Sequence, residues 1–288
     1  MLLYYNPIMD YKIRVATREE LGIFVEWAAK EGWNPGLYDV DTFYKIDPKG
    51  FFLGFLDGEP IASISAIAYD DKFGFLGFYI VKQKYRDQGY GIQVWNEAFK
   101  HLPTQNIGLD GVVAQQENYK KSGFKLAYGN IRYEGMGLGQ IENNPAIVLL
   151  KNLPFRELKS YDDQIFPTSR LVFLQSWIQQ PESLAIGFVK DKKLLGYGMI
   201  RKCQTGFKVG PLFADTKEVA NALFQQMRGF VSKDSQIFLD VPGINKEAVL
   251  LAETYKMKPM FETARMYNKE TPNVPINKIF GVTTFELG

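Results

Sequence analysis

The sequence predicts an α/β fold with mixed sheets, in which one module of strands and helices occurs twice in tandem. One observation is that predicted strands and helices follow the same order in both halves of the chain. A second is a local repeat, since Leu109-Asp110 and Leu239-Asp240 each end a predicted strand just before a helix. A third is the glycine-rich stretch 135–139, followed by Asn143-Asn144-Pro145, which is typical of a linker.

Length and composition agree with two globular domains and exclude several classes of protein. A domain typically has about 100–200 residues, and in this chain of 288 we place an N-terminal domain at 10–137 and a C-terminal domain at 146–288. Hydrophobic residues make up 46%, and 34 basic against 32 acidic residues give a net charge of +2, which does not suit a nucleic-acid binder.

A single cysteine and a single histidine argue against a disulfide framework and a metal site. No apolar stretch approaches the ~20 residues of a membrane-spanning helix, and no signal peptide is evident, so we expect a cytoplasmic protein with no membrane partner.

Polarity patterns predict the elements of the first half in order. Alternating polarity marks strands, and apolar residues spaced by three and four mark helices. Thr17-Arg18-Glu19-Glu20 is a capping-box pattern ahead of the first helix, and Asp57-Gly58 is a hairpin turn. The run 73–81 is almost wholly apolar, which predicts a strand at the centre of the sheet. The predicted order is strand 12–16, helices 21–30 and 41–46, strands 51–56, 60–69 and 73–81, helix 92–102, strand 107–113, helix 115–122, and one or two strands over 124–133.

The second half has turns and apolar stripes of the same kind. Phe166-Pro167 precedes a helix, and Asp191-Lys192 joins the strands of a hairpin. Apolar side chains of a long helix form one stripe: Val219, Leu223, Met227 and Phe230. The predicted order is helix 169–179, strands 184–189, 194–201 and 207–211, helix 217–231, strand 236–241, helix 246–255 and strand 261–267.

The clearest chemical signal lies between the apolar strand 73–81 and the helix that follows it. The segment consists of Arg86, Asp87, Gln88, Gly89, Tyr90 and Gly91. Its two glycines let a ligand approach the backbone, and consecutive N–H groups at the start of a helix bind anions. Positive charge from Lys82, Lys84 and Arg86 lies nearby in the sequence. A pyrophosphate is therefore the ligand that this segment fits best.

Two common phosphate-binding motifs do not match the segment. A Walker A loop requires Gly-Lys-Ser/Thr, whereas Gly91 is followed by Ile92-Gln93. A dinucleotide-binding fingerprint requires a third Gly or Ala where Val94 stands, and no alternating strand-helix-strand unit precedes it. The pattern Arg/Gln-x-x-Gly-x-Gly/Ala is matched by Arg86, Gly89 and Gly91.

That pattern is the acyl-CoA loop of the GNAT N-acetyltransferases, and the first half of the chain resembles a GNAT domain. The resemblance rests on the loop, on the order of elements, and on Tyr119-x-x-x-Gly123-Phe124. Together with Trp33-Asn34-Pro35-Gly36, Gln115-Gln116, Asn118-Tyr119 and the stretch 281–288, it extends to nearly the whole chain. The chain is similar to tandem-GNAT bacterial proteins of the YitH-like kind, in which a second, degenerate GNAT-like domain follows the first.

The resemblance implies an activity and assigns residues to it. The protein would be an acetyl-CoA-dependent N-acyltransferase, in which a primary amine attacks the thioester directly in a ternary complex. Backbone N–H groups from Arg86 to Gly91 would bind the pyrophosphate, and Tyr79, Ile80 and Val81 would pair with the pantetheine amides. Tyr119 would be the general acid, since a phenol of pKa ~10 can protonate a departing thiolate of pKa ~8.5.

The sequence departs from the family pattern at the general base. The strand 73–81 lacks the Glu that is often found there, and Val112 stands where an Asn usually precedes the Tyr. Asp110, at the end of the next strand, is the nearest candidate base, acting through water. The second half has no acyl-CoA loop, and Pro211 removes an N–H where the loop would begin. We expect that half not to bind CoA and instead to close the acceptor site.

Trp33 and Asn34, in the loop between the first two helices, are the candidate acceptor-binding residues. The many aromatic residues, with 22 Phe and 16 Tyr, favour a small, partly apolar amine over a protein or a nucleic acid. No metal is expected to take part. Two alternatives stay open: a non-catalytic acyl-CoA-binding sensor or interaction module, and a transferase of a longer acyl group. The sequence leaves the oligomeric state open.

Overall fold

A computed structural model describes residues 10–103, 105–140 and 143–288. In the first half the elements follow the predicted order, and one long strand takes the place of the predicted strand or strand pair over 124–133. They are β1 (Tyr11–Val15), α1 (Leu21–Lys30), α2 (Asp39–Ile46), β2 (Phe51–Leu56), β3 (Glu59–Ala68), β4 (Phe73–Val81), α3 (Tyr90–His101), β5 (Asn106–Val112), α4 (Gln116–Lys121) and β6 (Lys125–Met136).

The second half contains every predicted element and three that the sequence patterns do not predict. They are β7 (Ile147–Leu149), α5 (Phe155–Asp162), α6 (Leu171–Trp177), β8 (Ser183–Lys190), β9 (Lys193–Lys202), β10 (Phe207–Ala214), α7 (Lys217–Phe230), β11 (Gln236–Pro242), α8 (Lys246–Thr254), β12 (Lys258–Tyr267) and β13 (Ile279–Gly281). The additional elements are β7, α5 and β13. With β7 and α5, the second half gains the first strand and the pair of helices with which the first half begins, so the repeat is more complete than the sequence indicates.

The two modules exchange their last strands within one continuous sheet. Its order in the described part of the chain is β1-β2-β3-β4-β5-β12-β6-β11-β10-β9-β8-β7, and β13 pairs with β10. Strand β12 of the second half pairs with β5 of the first, β6 pairs with β11, and β12 and β6 pair with each other at the centre. The pairs β4–β5 and β10–β11 are parallel. Each module is therefore completed by a strand from the other.

A shared core joins the modules on one face of the sheet. Helix α2 packs on α6, where the rings of Phe43 and Trp177 stack with centroids 6.1 Å apart. Asp39 of α2 accepts hydrogen bonds of 2.8 and 3.0 Å from the guanidinium of Arg201 in β9. Both charged side chains are fully buried, and a buried ion pair is tolerated only where each partner is satisfied by the other. The modules therefore form a common interior, with no solvent layer between α2 and β9.

Candidate active site

A cleft opens where β4 and β5 separate. The two strands are paired from Phe73 to Leu76 and from Asn106 to Leu109, and the pairing ends there. Beyond this point lies a cavity of about 420 Å³. Both modules line it: the first with Glu31, Trp33, Leu76, Gly77, Phe78, Tyr79, Ile80, Val81, Tyr85, Arg86, Asp87, Gly89, Gly91, Ile92, Trp95, Leu109, Asp110, Gly111, Val112, Gln115, Asn118 and Tyr119, and the second with Phe261, Thr263, Phe285 and Glu286.

A β-bulge deforms β4 at the mouth of this cleft. Ser63 is paired with Ile80 and Ser65 with Gly77, so two residues of β4, Phe78 and Tyr79, lie opposite one residue of β3. Phe78 has φ +48°, a strained value for a residue with a Cβ. The Ser63 hydroxyl donates a 2.8 Å hydrogen bond to the Phe78 carbonyl and holds the bulge in place. The bulge takes part of the β4 backbone out of the ladder with β3 and beside the cavity.

The predicted phosphate segment lies at the N-terminus of α3. Gly89 occupies the N-cap position with φ +84°, a left-handed conformation that favours glycine, and no side chain of the described residues caps the helix. Arg86 is fixed by a 2.8 Å hydrogen bond from Nε to the Val81 carbonyl and by an ion pair with Glu31. The first N–H groups of α3 are therefore available to an anion beside the cavity.

The segment does not contribute all of its predicted residues to the cavity lining. Arg86, Asp87, Gly89 and Gly91 line the cavity, whereas Gln88 and Tyr90 are not among the lining residues. The Gln88 amide donates to the Lys84 carbonyl at 2.8 Å. Tyr90 packs against Tyr11, with ring centroids 4.8 Å apart. These two side chains stabilise the loop, and only their backbone is left for a ligand.

Tyr119 of α4 lines the cavity from the β5 side. Its ring is 8% exposed and stacks on Trp95 of α3, with centroids 5.7 Å apart and an interplanar angle of 28°. Gly111 of β5 makes room for it, because a Cβ at that position would overlap the Tyr119 ring. Burial, and to a smaller extent Tyr79, raise the pKa of Tyr119 above its usual value. The phenol thus stays protonated at neutral pH, at a position that lines the cleft.

Asp110 lies in the cleft but is bound on both carboxylate oxygens. Arg265 of β12 donates Nε to Oδ1 at 2.7 Å and Nη2 to Oδ2 at 2.6 Å, and Asn130 adds a 2.8 Å hydrogen bond to Oδ1. Burial raises the pKa of Asp110, against the opposing effect of the Arg265 charge. A bidentate ion pair leaves little freedom for proton transfer. This geometry argues against the general-base role predicted for Asp110 from the sequence.

The second module has an equivalent ion pair, and this repetition indicates a structural role for both pairs. Asp240 of β11 binds Arg132 of β6, with Nε to Oδ1 at 2.6 Å and Nη2 to Oδ2 at 2.7 Å. Asp110 faces Arg265 and Asp240 faces Arg132 directly across the exchanged strands. The pair thus recurs in the module that has no acyl-CoA loop. We infer that Asp110 and Asp240 fasten the exchanged strands to their host modules.

The two predicted acceptor residues lie in different surroundings. Trp33 lines the cavity, and its carbonyl accepts hydrogen bonds from Arg132 at 2.7 Å and from Lys208 at 3.3 Å. Asn34 is half-buried and is absent from the cavity lining. Its amide exchanges two 2.9 Å hydrogen bonds with the backbone of Thr205. These contacts argue against an acceptor-binding role for Asn34, which joins the first module to a turn of the second.

Sequence reasoning misses Glu286, Phe285, Thr263 and Phe261, which line the cavity from the second module. The stretch 282–288, here called the inserted segment, is buried throughout. It is held by a 2.8 Å hydrogen bond from Val282 N–H to the Asp240 carbonyl and by one of 2.9 Å from the Tyr69 hydroxyl to the Leu287 carbonyl. A polar residue within a fully buried segment is a signal that a sequence without a structure does not carry.

In the second module, a strand of the protein itself fills the corresponding cleft. The parallel pairing of β10 and β11 ends at Val209 and Leu239. Beyond that point β13 pairs with β10 at Leu212 and Phe213, and the Asn245 amide donates to the Ile279 carbonyl at 2.9 Å. The space that is open between β4 and β5 is therefore closed between β10 and β11.

The described residues were also compared with the patterns of metal sites and membrane-spanning helices. No group of three or more His, Cys, Asp and Glu side chains among them is arranged to hold a metal ion. The helices in the described ranges include none with the length and apolar character needed to cross a membrane.

Comparison with family models places a match in each half. The model described as "Acetyltransferase (GNAT) family" matches residues 18–124, and that described as "Acetyltransferase (GNAT) domain" matches residues 158–281. The matches lie on either side of the predicted linker and confirm two GNAT modules in tandem.

Two relatives that match most of the chain, and one solved structure, are consistent with two GNAT modules in tandem. The chain is 31% identical to holothin acyltransferase from Pseudoalteromonas sp. (strain SANK 73390), over 95% of this chain and 93% of that protein. It is 21% identical to the uncharacterised N-acetyltransferase YitH of Bacillus subtilis (strain 168), over 82% of this chain and 83% of that protein. The crystal structure of a proposed acetyltransferase from Pyrococcus horikoshii superposes with a TM-score of 0.83 at 22% identity, over 100% and 98% of the two chains, and shares the fold.

Proposed function

Because the chain belongs to the GNAT acyltransferase family, we propose that it transfers an acetyl group from acetyl-CoA to the primary amine of a small molecule. The observation that carries the proposal is the cleft between β4 and β5, where uncapped helix N–H groups, an unpaired strand edge and a buried phenol surround one cavity. These are the groups that a pyrophosphate, a chain of amides and a thiolate require.

The residues present suit the pyrophosphate and pantetheine parts of acyl-CoA. The N-terminus of α3, with Gly89 and Arg86, suits the pyrophosphate. The edge of β4 at Tyr79, Ile80 and Val81 faces the cavity and suits the pantetheine amides. The second module supports this assignment, because β13 pairs with β10 in the equivalent space. An extended chain with amide groups therefore fits there sterically.

In the proposed reaction the neutral amine attacks the thioester carbonyl carbon. A C–N bond forms and the C–S bond breaks. A β4 backbone N–H at the bulge polarises the carbonyl oxygen, and the Tyr119 hydroxyl gives its proton to the departing sulfur. The amine nitrogen loses one proton, so the reaction is balanced as amine plus acetyl-CoA giving amide plus CoA thiol. The chemistry uses no covalent enzyme intermediate.

The acceptor site lies at the end of the cleft closed by the second module. Phe261 and Phe285 contribute apolar surface there, with ring centroids 6.4 Å apart, and Trp33 lies on the first module's side. This lining supports a small acceptor with an apolar part, because a small number of polar groups among aromatic side chains is typical of small-molecule sites. The similarity to holothin acyltransferase supports acyl transfer as the reaction, and the acceptor of this chain is to be identified by experiment.

Calorimetric titration with acetyl-CoA, with NAD as the control, tests the donor assignment. We expect saturable binding at a single site per chain and none for NAD, because only the first module has an open cleft. Two sites would contradict the closed second cleft. Absence of binding at millimolar acetyl-CoA, with binding of a longer acyl-CoA, would contradict the acetyl donor. Release of CoA thiol on addition of primary amines then separates an enzyme from an acyl-CoA sensor.

A further inference from the structure

We propose that Glu286 is the proton acceptor for the amine substrate and that this substrate carries an aromatic or similarly flat apolar body. The inference rests on the proposed function and assigns its missing base and its class of acceptor. Glu286 belongs to the inserted segment of the second module, so this half of the chain would take part in the chemistry of the first.

The inserted segment places Glu286 at the β4 bulge. A Cβ on Gly77 would overlap the Glu286 carbonyl oxygen, so the segment lies directly against β4 at the residue that begins the bulge. Two N–H groups of the segment, of Glu286 and Leu287, donate to the Thr284 hydroxyl at 3.1 and 2.9 Å. This turn is rigid and fixes the backbone from which the carboxylate projects.

The Glu286 side chain is buried and has no hydrogen-bond partner among the described residues. The residue is 2% exposed, and neither carboxylate oxygen has a hydrogen-bond partner among the described residues. The other cavity-lining carboxylates differ from it: Asp110 is bound by Arg265, Glu31 by Arg86, and Asp87 is exposed on the loop. Buried polar groups without partners are rare in proteins, and a carboxylate of this kind beside a cavity is a candidate to bind a ligand.

Charged side chains from several elements influence the Glu286 carboxylate without forming an ion pair with it. Glu286 acts electrostatically on Arg132 of β6, Arg201 of β9 and Lys208 of β10, yet it forms no ion pair with any residue of the described ranges. Each arginine has its own carboxylate, Asp240 or Asp39. Glu286 therefore has no cation of its own among the described residues, and both of its buried carboxylate oxygens lack a hydrogen-bond partner there.

The other groups beside Glu286 define the class of acceptor. Thr263 is among the residues that line the cavity, and its hydroxyl oxygen is buried without a hydrogen-bond partner in the described part of the chain. Phe261, Phe285 and Trp33 supply aromatic surface on both sides of the cleft. One carboxylate, one hydroxyl and three aromatic rings match a primary amine on a flat apolar body.

The proposed proton transfers are balanced over one turnover. When the C–N bond forms, the nitrogen passes one proton to the Glu286 carboxylate, and the sulfur takes one from the Tyr119 hydroxyl as the C–S bond breaks. Glu286 then releases its proton to solvent, and Tyr119 regains one from solvent. The net reaction again forms amide and thiol from amine and thioester.

The test compares Glu286→Gln, Glu286→Asp and the exposed control Glu253→Gln, with acetyl-CoA as donor and 2-phenylethylamine or ethylamine as acceptor. We expect E286Q to lower kcat/KM for 2-phenylethylamine at least ~100-fold, the scale of a lost general base, with the Kd for acetyl-CoA unchanged. E286D should retain more of the rate than E286Q, and the control E253Q should keep the wild-type rate. The wild type should prefer 2-phenylethylamine to ethylamine at least ~10-fold, because the ring buries apolar surface.

The outcomes separate this inference from the proposed function. Wild-type rates in a folded E286Q that binds acetyl-CoA would overturn the role of Glu286. Equal rates with both amines, or binding of acetyl-CoA with transfer to neither, would overturn the aromatic acceptor and leave the donor site intact. Failure of the wild type to bind any acyl-CoA would overturn the proposed function itself.

Discussion

At the scale of single residues, two side chains with similar positions in the cleft have opposite environments. Tyr119 is buried beside apolar groups, and its pKa is raised chiefly by that burial. Asp110 is bound on both oxygens, in an arrangement that Asp240 repeats in the second module. A reactive group needs a free proton position, and an anchoring group needs its partners. These surroundings are compatible with the proposed acid role of Tyr119 and favour a role for Asp110 in joining the strands.

For Tyr119→Phe we expect kcat to fall ~100-fold or more, because general acid catalysis is lost, while the Kd for acetyl-CoA stays the same. Steady-state rates and calorimetry measure the two quantities. Tyr128→Phe is the control, since Tyr128 is a buried tyrosine of β6 outside the cavity lining and should keep its rate. Since burial raises the Tyr119 pKa, wild-type kcat should show no loss from phenol ionisation below about pH 10. Equal rates in Y119F and the wild type would contradict the assignment.

At the scale of elements, the site depends on a strand that is deformed and a segment that is inserted against it. The bulge in β4 places Phe78 at φ +48°, and Gly77 beside it permits the inserted segment to approach. In the second module, β13 occupies the corresponding position on β10. One continuous stretch of chain, 279–288, thus closes the second cleft with β13 and lines the first with Phe285 and Glu286.

Gly77→Ala tests this packing. The added Cβ meets backbone of the inserted segment, which cannot rotate away, so we expect a loss of ~1–3 kcal/mol in the free energy of unfolding and a higher KM for the amine. Urea denaturation and steady-state kinetics measure these. Gly22→Ala in α1 is the matched control: its Cβ would meet nothing within 4 Å, and helix propensity should stabilise the protein by up to ~1 kcal/mol. A G77A variant as stable and active as the wild type would contradict the contact.

At the scale of the whole molecule, strand exchange makes the two modules one folding unit. Strand β5 pairs with β12, and β11 pairs with β6, so neither module has its full sheet without the other. The buried ion pairs Asp110–Arg265 and Asp240–Arg132 join the same strands. Separation of the modules would remove the partner of each of these four charged side chains and expose the strands that carry them.

We therefore expect the full chain to unfold in urea in a single cooperative transition. Variants that keep only Trp95 of α3, or only Trp177 of α6, report on the two modules separately. Their fluorescence midpoints should coincide with each other and with far-ultraviolet circular dichroism. The fragment 10–137 alone should fail to give a cooperative transition. Two separate midpoints, or a stable fragment, would show that the modules fold independently.

The sequence by itself determined the repeated order of elements, the two modules in tandem, the glycine loop at the start of α3 and Tyr119 as a candidate acid. These features depend on local patterns, such as apolar periodicity, glycine spacing and residues before a helix. Only the tertiary structure decided the strand exchange, the closed second cleft and the surroundings of Asn34, Asp110 and Glu286. Asn34 bonds Thr205 across 171 residues, and Asp110 bonds Arg265 across 155. Such partners are set by which strands pair in the sheet, and the free energy that selects this pairing comes from burial and charge pairing across the whole molecule.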